Sequence, residues 1–401
     1  MAGVVVVGAS LGGLRAADAL ARSGYSGGIT LVGDEPHQPY NRPPLSKEAL
    51  LEAQDFDAIR LRSSAKPGTV SLVTGVRAAS VDLGRGLLFL SDGRELAFEG
   101  LVAATGLRPR ALGIPKPSAG VVVLRTYEDL VRLRSELATV KDVAIIGAGF
   151  IGCELAASLT QLGYRVSVIA PENVPMLRPL GEELGAALMR HHLRAGVAFG
   201  LERLPVAIEG CERPERVVCN DGSSFEAQLV IEAVGSAANT EWLEGNGLDL
   251  SDGILCDERL SFGGDGRFLA VGDVARFPNL AFDAVPRRVE HWGIAVDTGR
   301  YAGKALGRLL SSGEVSPAFT PMPAFWSDQF ELRIQSFGIP GLVTDASEIR
   351  VLEGDLDGEV VVGYHRDGTL VGVVLVGFAQ SHMKYRAAVA ESLEAAAGAS
   401  S

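Results

Sequence analysis

Residues 4–7, Val-Val-Val-Val, form an unbroken β-branched run, the pattern of a strand buried on both faces. Gly8-Ala9-Ser10-Leu11-Gly12-Gly13 follows. Then Leu14, Ala17, Leu20 and Ala21 recur at helical spacing as far as about Arg22. Gly24 closes that helix, and residues 29–32 predict the next strand, so the unit reads β-turn-α-β in about thirty residues. The pattern repeats further along. A strand at 143–146 leads to Gly147-Ala148-Gly149-Phe150-Ile151-Gly152, a helix to about Leu162, Gly163, and a strand at 166–169. Two such units in one chain imply two bound dinucleotides.

Between them, Leu101-Val102-Ala103-Ala104-Thr105-Gly106 predicts a strand ending in small residues, and Arg108-Pro109-Arg110 reads as a crossover between domains. Residues 229–234 predict a matching strand before Gly235, and residues 268–271 another before Gly272-Asp273. From about Ser316 the texture changes. Pro317, Pro321 and Pro323 precede alternating segments at 359–364 and 370–376, which predict a small antiparallel sheet. The last dozen residues, rich in Ala and Ser, predict a frayed helix and tail.

The 401 residues suggest two or three domains. Glycine supplies 49 of them, about 12% against a usual ~7%, which calls for tight turns or close backbone approaches. A net charge of −12 argues against a nucleic-acid partner. No apolar run approaches the ~20 residues of a membrane span, and the start lacks a cationic leader, so neither a membrane anchor nor a signal peptide is expected. Cys153, Cys211, Cys219 and Cys256 form no C-x-x-C pair, which fits a reducing cytoplasm and predicts no metal module. His191 and His192, adjacent on a predicted helix, have no partners at metal-ligand spacing and read as a solvated pair.

In Gly147-x-Gly149-x-x-Gly152 the glycines allow the turn, the approach of backbone to pyrophosphate, and close helix–strand packing, while the helix start offers N–H groups to phosphate. In the first copy Ser10 stands at the second glycine's place, a small side chain able to donate to phosphate. Asp34 and Glu35, 21 and 22 residues after Gly13, are candidates to grip a ribose. In the second copy the corresponding strand ends at Ala170 with Glu172 the nearest acid, so NADH and NADPH both stay open; Arg178 is a candidate for a 2′-phosphate or a plain surface residue. Glu154, two residues after Gly152, is expected in the first helical turn, where the dipole favours a carboxylate.

The stretch Gly33-Asp34-Glu35-Pro36-His37-Gln38-Pro39-Tyr40-Asn41-Arg42-Pro43-Pro44-Leu45-Ser46-Lys47 resembles the signature of the FAD-dependent ferredoxin reductases that serve bacterial oxygenases, the putidaredoxin reductase and biphenyl dioxygenase ferredoxin reductase group. Phe325-Trp326-Ser327-Asp328-Gln329, Glu290-His291-Trp292 and Leu124-Arg125-Thr126-Tyr127-Glu128-Asp129 resemble the same family in order and spacing. The resemblance implies an α/β, glutathione-reductase-like fold with two Rossmann-like dinucleotide-binding domains and a small C-terminal α+β domain. The expected division is FAD-binding at 1–108 and 235–315, NAD-binding at 109–234, and the C-terminal domain at 316–401. Implied FAD contacts are Gly8, Ser10, Leu11, Gly12, Gly13, Asp34 or Glu35, Arg42, Lys47, the Ala78 backbone, Arg125, Asp273 and Trp292. The small strand ends Ala104, Thr105, Gly106, Gly235 and Gly272 join them as candidates, with Gly147, Gly149, Phe150, Ile151, Gly152 and Glu172 for the pyridine nucleotide. The family also implies a Lys47–Glu154 pair beside the flavin N5, and Trp326 against the flavin ring toward the electron acceptor.

The implied reaction runs from NADH, with NADPH open, through FAD to a [2Fe–2S] ferredoxin. With no cysteine before Cys153, a thiol relay is not expected. Arg300, Lys304 and Arg308 recur every four residues after Trp292, with Arg287-Arg288 before it, and form either a docking stripe for an acidic ferredoxin or a solvated face. Two other readings stay open: an NADH oxidase or monodehydroascorbate-type reductase, and a redox-signalling flavoprotein resembling apoptosis-inducing factor. Monomer and homodimer are both open.

Overall fold

The structure is a computed structural model and describes residues 2–399. It divides into two compact units, each assembled from separate stretches of chain. The first comprises residues 1–41, 60–108 and 237–324; the second comprises 42–59, 109–236 and 325–401.

In the first unit the strand Gly3–Val7 pairs in parallel with Ile29–Val32 on one side and Glu95–Ala103 on the other. Val70–Val73 and Phe268–Ala270 extend the parallel set. The nine-residue strand Glu95–Ala103 serves two sheets. Its second half lies in the parallel set, and its first half pairs antiparallel with Leu87–Leu90, which carries Ala78–Asp82. This strand begins six residues before the expected Leu101, because its first residues are partly exposed and lack a continuous apolar run. Val4 to Val7, Leu101, Val102, Leu269 and Ala270 form the centre of the core. The helix Leu11–Arg22 covers the sheet and is crossed closely by the long helix Trp292–Ser312. Gly299, Gly303 and Gly307 make that approach possible: a Cβ on any of them would strike Gly12, Ala16 or Ser23.

In the second unit five parallel strands run in the order Ala198–Gly200, Arg165–Ile169, Asp142–Ile146, Leu229–Glu232 and Val121–Val122. The helix Phe150–Gln161 follows Asp142–Ile146 as the second nucleotide helix. A separate five-stranded sheet has the order Ala324–Gln329, Leu332–Gly338, Thr369–Val376, Val360–Arg366 and Ile349–Gly354. Its central strands pair antiparallel, as expected, but Val360 to Tyr364 and Val371 to Val376 are buried at successive positions. Both faces are covered. The Tyr364 hydroxyl donates to Leu180 O, in the helix Leu177–Arg194, at 2.5 Å, while the helix His382–Ala399 packs on Thr369–Val376. That last helix starts eight residues before the expected frayed segment, and residues 400–401 of the expected tail lie outside the described residues.

The fold is α/β, with two Rossmann-like nucleotide-binding sheets and a small C-terminal α+β domain. Among the described residues no helix is long and apolar enough to cross a membrane.

Candidate functional site

In open parallel sheets, ligands bind beyond the carboxyl ends of the strands. The first unit gathers most of its expected residues there. Gly8 N–H donates to Val32 O at 2.7 Å, Ala104 N–H to Val7 O at 2.7 Å, and Val271 N–H to Ala103 O at 2.9 Å. The Gly8 turn, the Asp34-Glu35 segment, Ala104-Thr105-Gly106 and Gly272-Asp273 therefore share one edge. Ser10 caps the helix Leu11–Arg22 in extended backbone (φ −114°, ψ −161°), with no side-chain capping bond among the described residues. The first-turn N–H groups stay available to an anion. Asp34 is exposed; Glu35 is half-buried and its carboxylate accepts from the Tyr40 hydroxyl at 2.5 Å. Thr105 Oγ1 donates to Asn239 O at 2.6 Å, and Gly272 N–H to Thr298 Oγ1 at 2.9 Å. Asp273 sits in a 3-10 turn whose O accepts from Arg288 at 3.2 Å. Trp292 opens the long helix, and its indole N–H donates to Asn41 Oδ1 at 2.8 Å. Ala78 lies on the antiparallel part of the sheet and is buried.

The second unit repeats the edge. Gly147 N–H donates to Ile169 O and Ala233 N–H to Ile146 O, both at 2.8 Å, which sets the Gly147 turn, Ala170 with Glu172, and the segment up to Gly235 side by side. Gly149 caps the helix Phe150–Gln161 in extended backbone, again with no side-chain capping bond among the described residues. A Cβ built on Gly149 meets nothing within 4 Å, so the space over this turn is open. Both cradles fit a dinucleotide: small turns, uncapped helix starts and adjoining acids. Ile151 is exposed, and the Phe150 ring meets the Phe325 ring edge-on at 4.9 Å. Arg42 Nη1 donates to Arg125 O at 2.6 Å. Glu172 is half-buried, and Arg178 is exposed at the start of the helix Leu177–Arg194.

Behind the second turn lies a buried polar cluster. Pro43–Ser46 forms a 3-10 turn, and the Ser158 hydroxyl holds its end by donating to Ser46 O at 2.7 Å. Lys47 follows, 7% exposed, with Nζ 3.1 Å from Glu154 Oε1. Glu154 also accepts from the Ser46 hydroxyl at 2.6 Å and the Ser327 hydroxyl at 2.8 Å. Three donors, one ammonium and two hydroxyls, thus converge on one buried carboxylate. The expectation for Glu154 needs correction. It is the fifth helical residue, past the first turn, and side-chain donors rather than the dipole satisfy it.

The strand Ala324–Gln329 alternates. Phe325, Ser327 and Gln329 are buried on one face, while Trp326 and Asp328 are half-buried on the other. Gln329 Nε2 donates to Ser327 Oγ at 3.0 Å, and Gln329 Oε1 lies 2.8 Å from His192 Nε2. His192 is fully buried, which corrects the solvated-pair reading; only His191 keeps partial exposure. The helix Leu177–Arg194 turns His192 inward against the Phe330 and Phe199 rings, at 5.0 and 6.0 Å between centroids. Burial lowers its pKa to about 4, so the ring is neutral at neutral pH. Sequence reasoning singled out Lys47, Glu154 and Trp326 and missed the hydrogen bonds that join Ser46, Ser327, Gln329 and His192 to this cluster. Two-residue alternation within Phe325-Trp326-Ser327-Asp328-Gln329 was the available signal.

Arg300, Lys304 and Arg308 are exposed along one face of the helix Trp292–Ser312, with Glu314 3.8 Å from Arg308. Arg287 and Arg288 pair with Asp283, Asp252 and Glu290. All four cysteines are free; burial raises the pKa of Cys153 and Cys256. No group of three metal-ligating side chains occurs among the described residues.

The chain as a whole has relatives among known proteins. Residues 2–299 match the model of the pyridine nucleotide-disulphide oxidoreductase family, and residues 324–400 match the reductase C-terminal domain. The chain belongs to this family and is an NAD(P)H-dependent flavoprotein oxidoreductase. It is 35% identical, over 91% of its length and 87% of the relative's, to the ferredoxin–NAD(+) reductase component of the p-cumate 2,3-dioxygenase system of Pseudomonas putida. It is 32% identical to rhodocoxin reductase of Rhodococcus erythropolis, over 97% and 90% of the two chains. The solved covalent complex of putidaredoxin reductase with putidaredoxin contains a chain of similar structure (TM-score 0.88, 29% identity, covering 97% of this chain and 93% of that one).

Proposed function

We propose that this protein passes electrons from NADH, through bound FAD, to a [2Fe–2S] ferredoxin that serves an oxygenase. The observation carrying the reading is the water-shielded Lys47–Glu154 pair behind the second nucleotide turn. Similarity to reductase components of dioxygenase systems over about nine-tenths of the chain supports it. In this reading residues 1–108 and 235–315 hold FAD, 109–234 take the pyridine nucleotide, and 316–401 form the C-terminal domain. The setting is cytoplasmic.

FAD, when bound, would supply the conversion between two-electron hydride chemistry and single-electron transfer. The residues of the chain orient and stabilise. N–H groups at the Ser10 and Gly149 helix starts hold pyrophosphate, Glu35 and Glu172 face ribose hydroxyls, and Arg42 and Arg125 support diphosphate. Lys47, fixed by Glu154 and screened from solvent, supplies positive charge where negative charge arrives with the hydride. Trp326 shields the site on the acceptor side. No cysteine precedes Cys153, which argues against a thiol relay. Arg300, Lys304 and Arg308 form a basic stripe suited to an acidic ferredoxin on an otherwise acidic protein.

The test is anaerobic titration of the FAD-loaded protein with NADH and with NADPH, followed by mixing with an acidic [2Fe–2S] ferredoxin. Bleaching by NADH and a ferredoxin reduction rate that falls with salt are expected, with a further drop of about tenfold when Arg300 and Lys304 become Glu. Rapid NADH consumption under oxygen with no added protein would overturn the reading in favour of an oxidase.

A further inference from the structure

The polar chain that begins at Glu154 runs on through Ser327 and Gln329 and ends at His192, across three separate elements of the second unit. Ser327, Gln329 and His192 are each fully buried. Such a chain has two self-consistent directions. In one, the His192 Nε2–H donates to Gln329 Oε1, the Gln329 amide NH2 donates to Ser327 Oγ, and the Ser327 hydroxyl donates to Glu154. In the other, His192 Nε2 is a bare acceptor, the Gln329 amide is flipped, and the Ser327 hydroxyl turns to Gln329, which deprives Glu154 of a donor.

The surroundings select the first direction. Glu154 is an acceptor only, so it favours a hydroxyl that donates. His192 Nδ1 is buried with no hydrogen-bond partner among the described residues. A bare ring nitrogen there costs less than a buried N–H without an acceptor. The Phe330 and Phe199 rings hold the imidazole in place. We propose that His192 is a positioning residue for the Lys47–Glu154 pair: as the Nε2–H tautomer it orients the Gln329 amide, and through it turns the Ser327 hydroxyl onto Glu154. The proposal rests on the role given to Lys47 above, and it adds a structural determinant of that role more than 140 residues away in sequence.

The experiment uses FAD-loaded protein and anaerobic stopped-flow reduction by NADH, with the variants His192→Phe, His192→Gln, Ser327→Ala and Lys47→Ala. His192→Phe keeps a flat ring and loses the donor; His192→Gln keeps an N–H at the matching reach. Loss of the Ser327 hydroxyl's bond to Glu154, directly in Ser327→Ala and by way of Gln329 in His192→Phe, should slow the limiting rate about tenfold, with half-saturating NADH unchanged within about twofold. His192→Gln should stay within about twofold of the parent rate. A cofactor-independent readout is the 15N spectrum of histidine-labelled protein, in which His192 should titrate nowhere above pH 5 and show the Nε2–H tautomer. A parent-like rate in Ser327→Ala, a His192→Gln as slow as His192→Phe, or the Nδ1–H tautomer would each overturn the proposal. Should His192→Phe fail to fold, Ser327→Ala and the tautomer decide. A parent-like rate in Lys47→Ala overturns the Lys47 role instead, and a slow Lys47→Ala beside an unchanged Ser327→Ala overturns only the positioning by His192.

Discussion

The helices Leu11–Arg22 and Phe150–Gln161 start from the same turn and then bury different chemistry. In both, the third glycine lies over the first: a Cβ on Gly13 would overlap Gly8 O, and one on Gly152 would overlap Gly147 O. Each helix also buries one carboxylate. Asp18, on the first, accepts from the Ser63 hydroxyl at 2.6 Å, from Ser64 N–H and hydroxyl at 3.1 and 3.0 Å, and from Ala65 N–H at 3.3 Å, with Arg15 3.2 Å away. It fastens a loop. Glu154, on the second, holds a buried lysine and two hydroxyls instead. The same scaffold thus uses a buried acid once as a staple, satisfied mainly by neutral donors, and once as the seat of a shielded cation. What differs is the surroundings of the carboxylate: loop N–H groups and hydroxyls around Asp18, a buried ammonium and two hydroxyls around Glu154.

The largest expected effect tests what the helices share. Gly152→Ala and Gly13→Ala should each cost about 3–5 kcal/mol, because the methyl meets backbone that has nowhere to move. Urea unfolding measures this, and an unchanged midpoint in either variant would show that the turns are not equivalent. Next comes what separates them. Lys47→Ala should lower the limiting rate of flavin reduction by NADH about a hundredfold while FAD is retained. Equal losses of rate and of bound flavin would reduce Glu154 to a second staple.

Asp18→Asn should cost about 1–3 kcal/mol, the scale of buried donors left without their acceptor charge. The same residue carries a pH signature. Desolvation raises the Asp18 pKa, but the bonds from Ser63, Ser64 and Ala65 outweigh it and bring it below the ordinary 3.8. A depressed carboxyl adds stability that is present above the unfolded value and is lost as pH falls through the folded one. Asp18→Asn should therefore flatten the stability curve below about pH 4. Denaturant titrations from pH 7 to pH 3 compare the two slopes, and parallel curves would exclude the staple.

The smallest effect concerns the second glycine. Gly149 has φ −83°, ordinary for any residue, and open space where a Cβ would stand, while Ser10 holds the same extended conformation in the first turn. Gly149→Ser should change stability by no more than about 0.5 kcal/mol. Its effect should fall on the half-saturating NADH concentration alone. A drop in thermal midpoint like that of Gly152→Ala would mean that this position, too, is set by packing.

The β-turn-α-β units were legible because each carries several mutually consistent signals: a β-branched run, glycines where backbone crowds, and helical periodicity. Lys47 and Glu154 were legible as a pair only through resemblance, since 107 positions separate them in the chain. His192 was misread because a histidine among polar neighbours on a helix looks solvated until the sheet that covers that face is known. Ser327 and Gln329 stood beside a conspicuous tryptophan, and only the strand's alternation turns them, and not Trp326, toward Glu154.

Taken alone, the sequence determined the two nucleotide turns, the class of fold and the absence of an early cysteine, all properties written in local spacing and residue type. Tertiary structure decided which polar side chains meet. That residues 42–59 cluster with the second unit, beside Glu154, Ser327 and His192, depends on long-range packing. Hydrogen bonds of about 3 Å between residues more than a hundred positions apart leave no periodic trace in the chain.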